Sequence, residues 1–306
     1  MTGAAGFIGR ALCRELVRRS IDVRGITRRT AEPIAGVELR AVGDIGPGTD
    51  WTAHLMGVDI IVHLATSAHR QVDPATGIAE AKAAASLVRA ARGAGIRRLV
   101  HISSIRAMGE ETPPGRRFTA TDAPSPQDAY GRAKLAIEHA ATTAAVASGI
   151  DLVILRPPLV YGPGVKGNLR ALIKLIASGV PLPFAGLESR RSLIFIDNLI
   201  DLLTTACIHP AASGRLLLAR DAVDLSIPQM VEALANGLGR RMRLFTAPSA
   251  LFAGLSLVPV LRPALRRVTL PLLVDDAETR RVLGWTPLVA PETGLAATAR
   301  AYALRA

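Results

Sequence analysis

The chain has 306 residues, 49% of them hydrophobic, which suffices for a sizeable core and excludes a disordered or fibrous protein. Net charge is +12, nearly all of the positive charge being arginine, since the only lysines are Lys82, Lys134, Lys166 and Lys174; such a balance suits anionic ligands. Nucleic acid is disfavoured as a partner, because the arginines are scattered and aromatics, at 4%, are too few for stacking platforms.

The chain opens on Met1-Thr2-Gly3-Ala4-Ala5-Gly6-Phe7-Ile8-Gly9, a G-x-x-G-x-x-G run directly before an amphipathic stretch, residues 10–19. Gly3 allows a tight turn, Gly6 lets backbone approach a pyrophosphate, Gly9 lets a helix pack on a strand, and the helix end supplies N–H groups. Gly3, Gly6, Phe7, Ile8 and Gly9 are therefore candidate cofactor residues. A dinucleotide turn should follow a strand of about five or six residues, and only Met1 and Thr2 precede Gly3. We expect a truncated first strand, the natural product beginning upstream.

Apolar runs at 21–26, 58–64, 99–103 and 152–155 are separated by helix-like segments at 79–92 and 130–147. This alternation predicts an α/β fold with a doubly wound parallel sheet. After Pro157 the pattern turns irregular, with Pro/Gly-rich loops at 157–167 and 179–186 and helices at 198–209 and 228–238. The predicted division is a dinucleotide-binding domain over 1–156, with 191–212 packing back on it, and a smaller, mainly substrate-binding part over 157–306.

Cys13 and Cys207 fall at apolar helix positions and read as buried thiols in a reducing cytosol rather than a disulfide. The longest apolar stretch, 250–261, is too short to span a bilayer and contains Pro259, so no transmembrane segment is predicted, while an interfacial helix is left open. The expected location is cytoplasmic, and no metal site is predicted.

Tyr130-Gly131-Arg132-Ala133-Lys134 puts a phenol and an ammonium one turn apart on one helix face. A cation beside the phenol favours phenolate and brings a group with an ordinary pKa of about 10 toward acid/base range. The run 99–103 ends at Ser104, and strand ends are where a doubly wound sheet presents its chemistry.

The motifs TGAAGFIG, the Ser103-Ser104 strand end and YGRAK, in this order and spacing, resemble the extended short-chain dehydrogenase/reductase family, with its nucleotide-sugar epimerases, dehydratases and reductases. The resemblance covers essentially the whole chain and implies a Rossmann fold binding NAD(P) and a homodimer. It assigns Tyr130 as acid/base, Lys134 to the nicotinamide ribose and the phenol pKa, and Ser104 to the reacting oxygen. It further implies Asp44 and Ile45 at adenine, Leu64 and Ala65 beside the cofactor, and Pro157 flanking the nicotinamide. Asn168 and Arg191 fall where relatives hold the diphosphate of a UDP-sugar, and an arginine fork suits that group. Arg106, two residues past Ser104, is taken as substrate-facing.

RPPLVYGPGVKGN, RRSLIFIDNLIDLL and Leu283-Gly284-Trp285 are most similar to a bacterial polysaccharide subgroup, in which 4-keto reductases of UDP-4-keto-6-deoxy-N-acetylhexosamine stand beside 4-epimerases. Three departures matter. Ile105-Arg106 stands where dehydratases of the family carry an acidic pair, which disfavours dehydration. Thr27 replaces the acid of NAD-preferring members and Arg28 follows it, which suits a 2′-phosphate and hence NADP, with NAD the alternative. Glu80 occupies the place of an asparagine common in relatives. The sequence expectation is thus the 4-keto reductase, acting in surface polysaccharide biosynthesis. Its alternatives are a UDP-glucose or UDP-N-acetylglucosamine 4-epimerase and, more remotely, a non-catalytic dinucleotide sensor.

Overall fold

The apolar runs become parallel strands because each is buried on both faces and is too short to make a helix. The computed structural model describes residues 1–66, 73–248, 266 and 269–304. In its first half, α1 (Phe7–Arg18), β1 (Val23–Thr27), β2 (Val37–Ala41), α2 (Thr52–Leu55) and β3 (Ile60–His63) precede α3 (Pro74–Gly93), β4 (Arg98–Ile102), α4 (Ala129–Ser148) and β5 (Asp151–Arg156). Then follow β6 (Leu159–Tyr161), α5 (Gly167–Ala177), β7 (Arg190–Arg191), β8 (Leu193–Phe195), α6 (Ile196–Ile208) and β9 (Leu216–Leu218). The chain continues with β10 (Leu225–Ser226), α7 (Ile227–Gly237), α8 (Ala277–Leu283) and α9 (Pro291–Ala303).

β3, β4, β5 and β9 form one parallel run and β1–β2 another. Thr2 bridges the two, parallel to both Ile26 and His63. Its amide donates to the Val62 carbonyl at 3.0 Å, and the Ile26 amide donates to the Met1 carbonyl at 2.7 Å. Alternation along each strand assigns the faces. Val100 and Ile102 of β4, with Val153 and Leu155 of β5, meet Leu12, Cys13 and Leu16 of α1 and Leu199, Leu202 and Leu203 of α6. Leu99, Leu152 and Ile154 point the other way, onto Leu87 and Val88 of α3 and Ile137 and Ala141 of α4. Helices on both faces of a parallel sheet make this a doubly wound α/β fold.

Several boundaries move for local reasons. Helix α3 starts at Pro74 rather than 79, because the Asp73 carboxylate accepts from the Thr76 amide at 2.7 Å and proline suits the first helical position. Helix α4 ends at Gly149, whose φ of +66 favours glycine. Past residue 156 the chain returns to the sheet twice, through α6, packed on α1, and through β9, paired with β5. Residues 270–275 run between two other segments: the Thr112 amide donates to Pro271 O at 3.0 Å and the Ser192 amide to Leu272 O at 2.9 Å.

Cys13 and Cys207 are buried free thiols. The apolar stretch 250–261 lies outside the described residues; among those described, no helix is long and apolar enough to cross a membrane.

Candidate active site

The glycine run forms a turn between the start of the sheet and α1. Gly3 has φ +71, and a Cβ there would sit 3.0 Å from the Ala65 nitrogen and the Leu64 carbonyl carbon. A Cβ at Gly9 would overlap the Gly3 carbonyl oxygen. Gly6 caps α1 without a side-chain hydrogen bond, so the first-turn amides of Phe7 and Ile8 face outward with no capping side chain over them. Thr2 ties this turn to the end of β3. Its hydroxyl oxygen accepts from the amides of Leu64 and Ala65, both at 3.2 Å, and lies 2.8 Å from His63 Nδ1. With two amides donating to that oxygen, the hydroxyl proton goes to Nδ1 and the ring proton of His63 stays on Nε2. Burial pushes His63 down to about 4, with the Lys134 charge adding to the shift.

At the end of β1, exposed Arg28 pairs with Asp44, Nε to Oδ1 at 2.7 Å, so the two residues expected on the adenosine side meet. Ile45, next along, packs half-buried against the core. Thr27 is buried and its hydroxyl donates to the Arg29 carbonyl at 2.9 Å.

Ser104 follows β4 and Tyr130 opens α4, whose first turn is capped by Asp128: its carboxylate accepts from the Gly131 amide at 2.7 Å. The Ser104 hydroxyl oxygen accepts from the Arg106 amide at 3.2 Å. Burial raises the Tyr130 phenol above its ordinary value; the nearby Ser104 hydroxyl and the Arg106 charge oppose the rise, while Asp128 and Glu80 add to it. Lys134 is only 4% exposed, and burial lowers its ammonium to about 8 against the pull of Glu80 and Glu138.

The Lys134 ammonium lies over the Tyr130 ring, 5.5 Å from its centroid, and donates to the Thr66 hydroxyl.

Arg106 is bound to the carboxylates of Glu110 and Asp128, so its charge is balanced within the protein. Pro157 is buried, its carbonyl accepting from the Ile105 amide at 2.9 Å, which joins the ends of β4 and β5 beside Ser104. Asn168 is exposed in the first turn of α5. Arg191 is half-buried and its Nη1 donates to the Leu270 carbonyl at 2.7 Å. The structure thus gathers the turn, β3, β4 and α4 residues, and places Asn168 and Arg191 on separate elements.

The model of the NAD dependent epimerase/dehydratase family matches residues 1–217. The chain belongs to that family. This epimerase-family chain is 34% identical to a UDP-glucose 4-epimerase of Vibrio cholerae, over 99% of its own length and 94% of the relative's. Among solved structures it resembles MoeE5 in complex with UDP-glucuronic acid and NAD, with a TM-score of 0.80 at 22% identity over 100% of this chain and 98% of that one. It likewise resembles the UDP-glucuronic acid 4-epimerase of Bacillus cereus in complex with NAD, with a TM-score of 0.78 at 22% identity over the same shares. The residues of the epimerase-family turn suit a dinucleotide's phosphates: Gly3 and Gly9 close the turn tightly against the chain's own backbone, and the first-turn amides of α1 carry no capping side chain.

Sequence reasoning passed over Thr2, Thr66, Glu138 and Arg156. Glu138 and Arg156 carry a visible signal, an acid inside the alanine-rich buried stripe of a helix and an arginine closing an apolar strand, the pattern of a buried pair. Thr2 and Thr66 carry none, since their roles come from strand register alone.

Proposed function

We propose that this protein acts at carbon 4 of a UDP-hexose as a 4-epimerase, with NAD, when bound, accepting and returning the hydride. The observation that carries this reading is the grouping of Tyr130 and Lys134, with the ammonium 5.5 Å from the ring centroid, and of Ser104 acting on the phenol, beside a tight glycine turn at the start of α1. Tyr130, protonated because burial holds its proton on, is suited to exchange a proton with the carbon-4 oxygen, and Ser104 to steady that oxygen. Lys134 is placed to hold the nicotinamide ribose. Asn168 and Arg191 are assigned to the diphosphate, as an outer grip that leaves the chemistry alone. The relationship to the Vibrio cholerae UDP-glucose 4-epimerase supports the substrate class. A sensor without chemistry is the weaker reading, since all three reacting groups are present and assembled. A cytoplasmic homodimer belongs to the same proposal as a family expectation.

A second reading, reduction of a UDP-4-keto-6-deoxy sugar with NADPH, is favoured by one observation. Thr27 spends its hydroxyl on backbone carbonyls, and Arg28 is exposed beside it. In the deciding experiment, NAD with UDP-glucose or UDP-N-acetylglucosamine is followed by proton NMR, and NADPH with the 4-keto-6-deoxy derivative is followed by absorbance. Conversion of the gluco-configured sugar into a fixed gluco/galacto equilibrium, with no net NAD reduction, is expected. Stoichiometric NADPH oxidation without epimerisation would replace the first reading by the second, and no product in any arm would overturn both. In the NADPH arm, Arg28→Ala should cut NADPH affinity about tenfold relative to NADH if the guanidinium meets a 2′-phosphate.

A further inference from the structure

A buried ion pair lies one turn beyond the Ser104–Tyr130–Lys134 group. Glu138 follows Lys134 as Lys134 follows Tyr130, so the three share one face of α4. Glu138 is 3% exposed and Arg156, closing β5, is 4% exposed. Glu138 Oε1 accepts from Arg156 Nε at 2.9 Å and from the Ser103 hydroxyl, while Oε2 takes Arg156 Nη2. Arg156 Nη1 reaches Met108 Sδ. Each partner stands one residue from the candidate site, Ser103 before Ser104 and Arg156 before Pro157. The Ser103 amide also donates to the Leu155 carbonyl at 2.8 Å, which locks the two strand ends together.

Such a pair is a weak source of stability, because desolvation offsets its attraction and apolar side chains of similar volume are often as good or better. Its directional effect is another matter. A two-point contact between guanidinium and carboxylate fixes distance and orientation together. Helix α4 cannot slide or roll against the ends of β4 and β5 without breaking it. Displacements of about 1 Å at a reacting group can lower rates about a hundredfold.

We propose that Glu138 and Arg156 are positioning residues: the carboxylate that grips both Ser103 and Arg156 sets the register of α4 against β4 and β5, and so holds Tyr130 and Lys134 in place beside Ser104. The proposal rests on the reading of Ser104, Tyr130 and Lys134 as the reacting group.

The test is the double variant Glu138→Leu with Arg156→Met, which removes both charges at once and strands neither. Its urea midpoint should equal or exceed that of the wild type. With UDP-glucose and NAD its kcat should fall about tenfold or more, and KM should stay within about threefold. Its crystal structure, which needs no substrate, should show the Tyr130 oxygen displaced relative to Ser104 by about 1 Å or more compared with the wild type. Turnover within about twofold of wild type, or an unchanged Ser104–Tyr130 separation, overturns the proposal. Should the double variant not fold, Ser103→Ala removes one grip alone. A kcat about threefold lower at unchanged stability, restored in Ser103→Thr, is then expected, and an unchanged kcat and Ser104–Tyr130 distance overturn the proposal. Tyr130→Phe is assayed in parallel. Wild-type turnover there removes the active-site reading itself, whereas an inactive Tyr130→Phe beside a fully active double variant removes only the positioning role.

Discussion

Two regions of the molecule are held together by different means. Around β3, β4, α4 and β5, the functional side chains stand on regular elements, and buried side-chain bonds hold those elements in register, above all Glu138 to Arg156 and Ser103. Where residues 112–118, 190–192 and 270–276 meet, backbone bonds stitch irregular segments together, as when the Phe118 amide donates to Leu273 O and the Asp275 amide to Phe118 O, each at 2.9 Å. Pairs between arginines and two buried carboxylates reinforce them: Asp224 takes Arg117 at 2.7 Å, and Asp276 takes Arg220 at 3.2 Å and Arg280 at 2.9 Å. Under the proposed function, the first arrangement holds the reacting groups precisely, and the second carries the residue assigned to the diphosphate on irregular segments.

The sharpest way to break this contrast is Tyr130→Phe, which deletes a proton while keeping the ring. Turnover should fall by about 10²–10⁴, with the NAD dissociation constant within about twofold of wild type. Steady-state kinetics and a fluorescence titration decide it, and near-normal turnover would remove the tyrosine from the chemistry.

Next in size is Lys134→Met. The ammonium sits at about 8 in the folded chain against an ordinary 10.5, so the unfolded chain binds that proton more tightly. Below pH 8 the charge therefore subtracts roughly 3 kcal/mol from stability, and the deficit fades as pH rises through the window up to 10.5. The variant should be more stable at pH 7 by about 1–3 kcal/mol in urea unfolding and should bind NAD more weakly. A less stable variant would show that the region is built for stability rather than for function.

His63 should give the acid limb of stability. Its folded value of about 4 lies below the ordinary 6.5, so stability falls as pH drops from 6.5 toward 4, by about 2 kcal/mol at pH 5. His101, stacked on it with ring centroids 5.3 Å apart, is shifted in the same direction by its own burial. In His63→Gln the slope between pH 7 and pH 5 should become shallower, and a parallel slope would assign the acid limb elsewhere.

The smallest effect belongs to the stitched region. Arg191→Ala should raise KM for the UDP-sugar about three- to tenfold with kcat within about twofold, a difference near 1 kcal/mol expressed in ground and transition state alike. Equal losses in both constants would mean that the segment reaches the chemistry after all.

Much of the first region could be read in the amino-acid sequence because its signals are local. A four-residue spacing puts Tyr130 and Lys134 on one face, apolar runs mark β3 to β5, and the glycines mark the turn. What the spacing could not say is where the ammonium points. That depends on Thr66 past the end of β3, a third element, whose hydroxyl takes the ammonium while it lies over the Tyr130 ring. Strand β2 escaped because Val37–Ala41 is partly exposed on the sheet edge and lacks the continuous apolar run of its neighbours. The second region was least legible. Its pairs are two or three residues long and join partners such as Arg191 and Leu272 that lie far apart in the chain.

The Thr2 residue couples the glycine turn to the end of β3. Its hydroxyl oxygen anchors the amides of Leu64 and Ala65, its backbone pairs with Val62 and Leu64, and it leads directly into Gly3, so the turn and the end of β3 move together. Under the proposed function, where both would meet a dinucleotide, a change at Thr2 should weaken binding of the adenylate fragment and of the complete dinucleotide together.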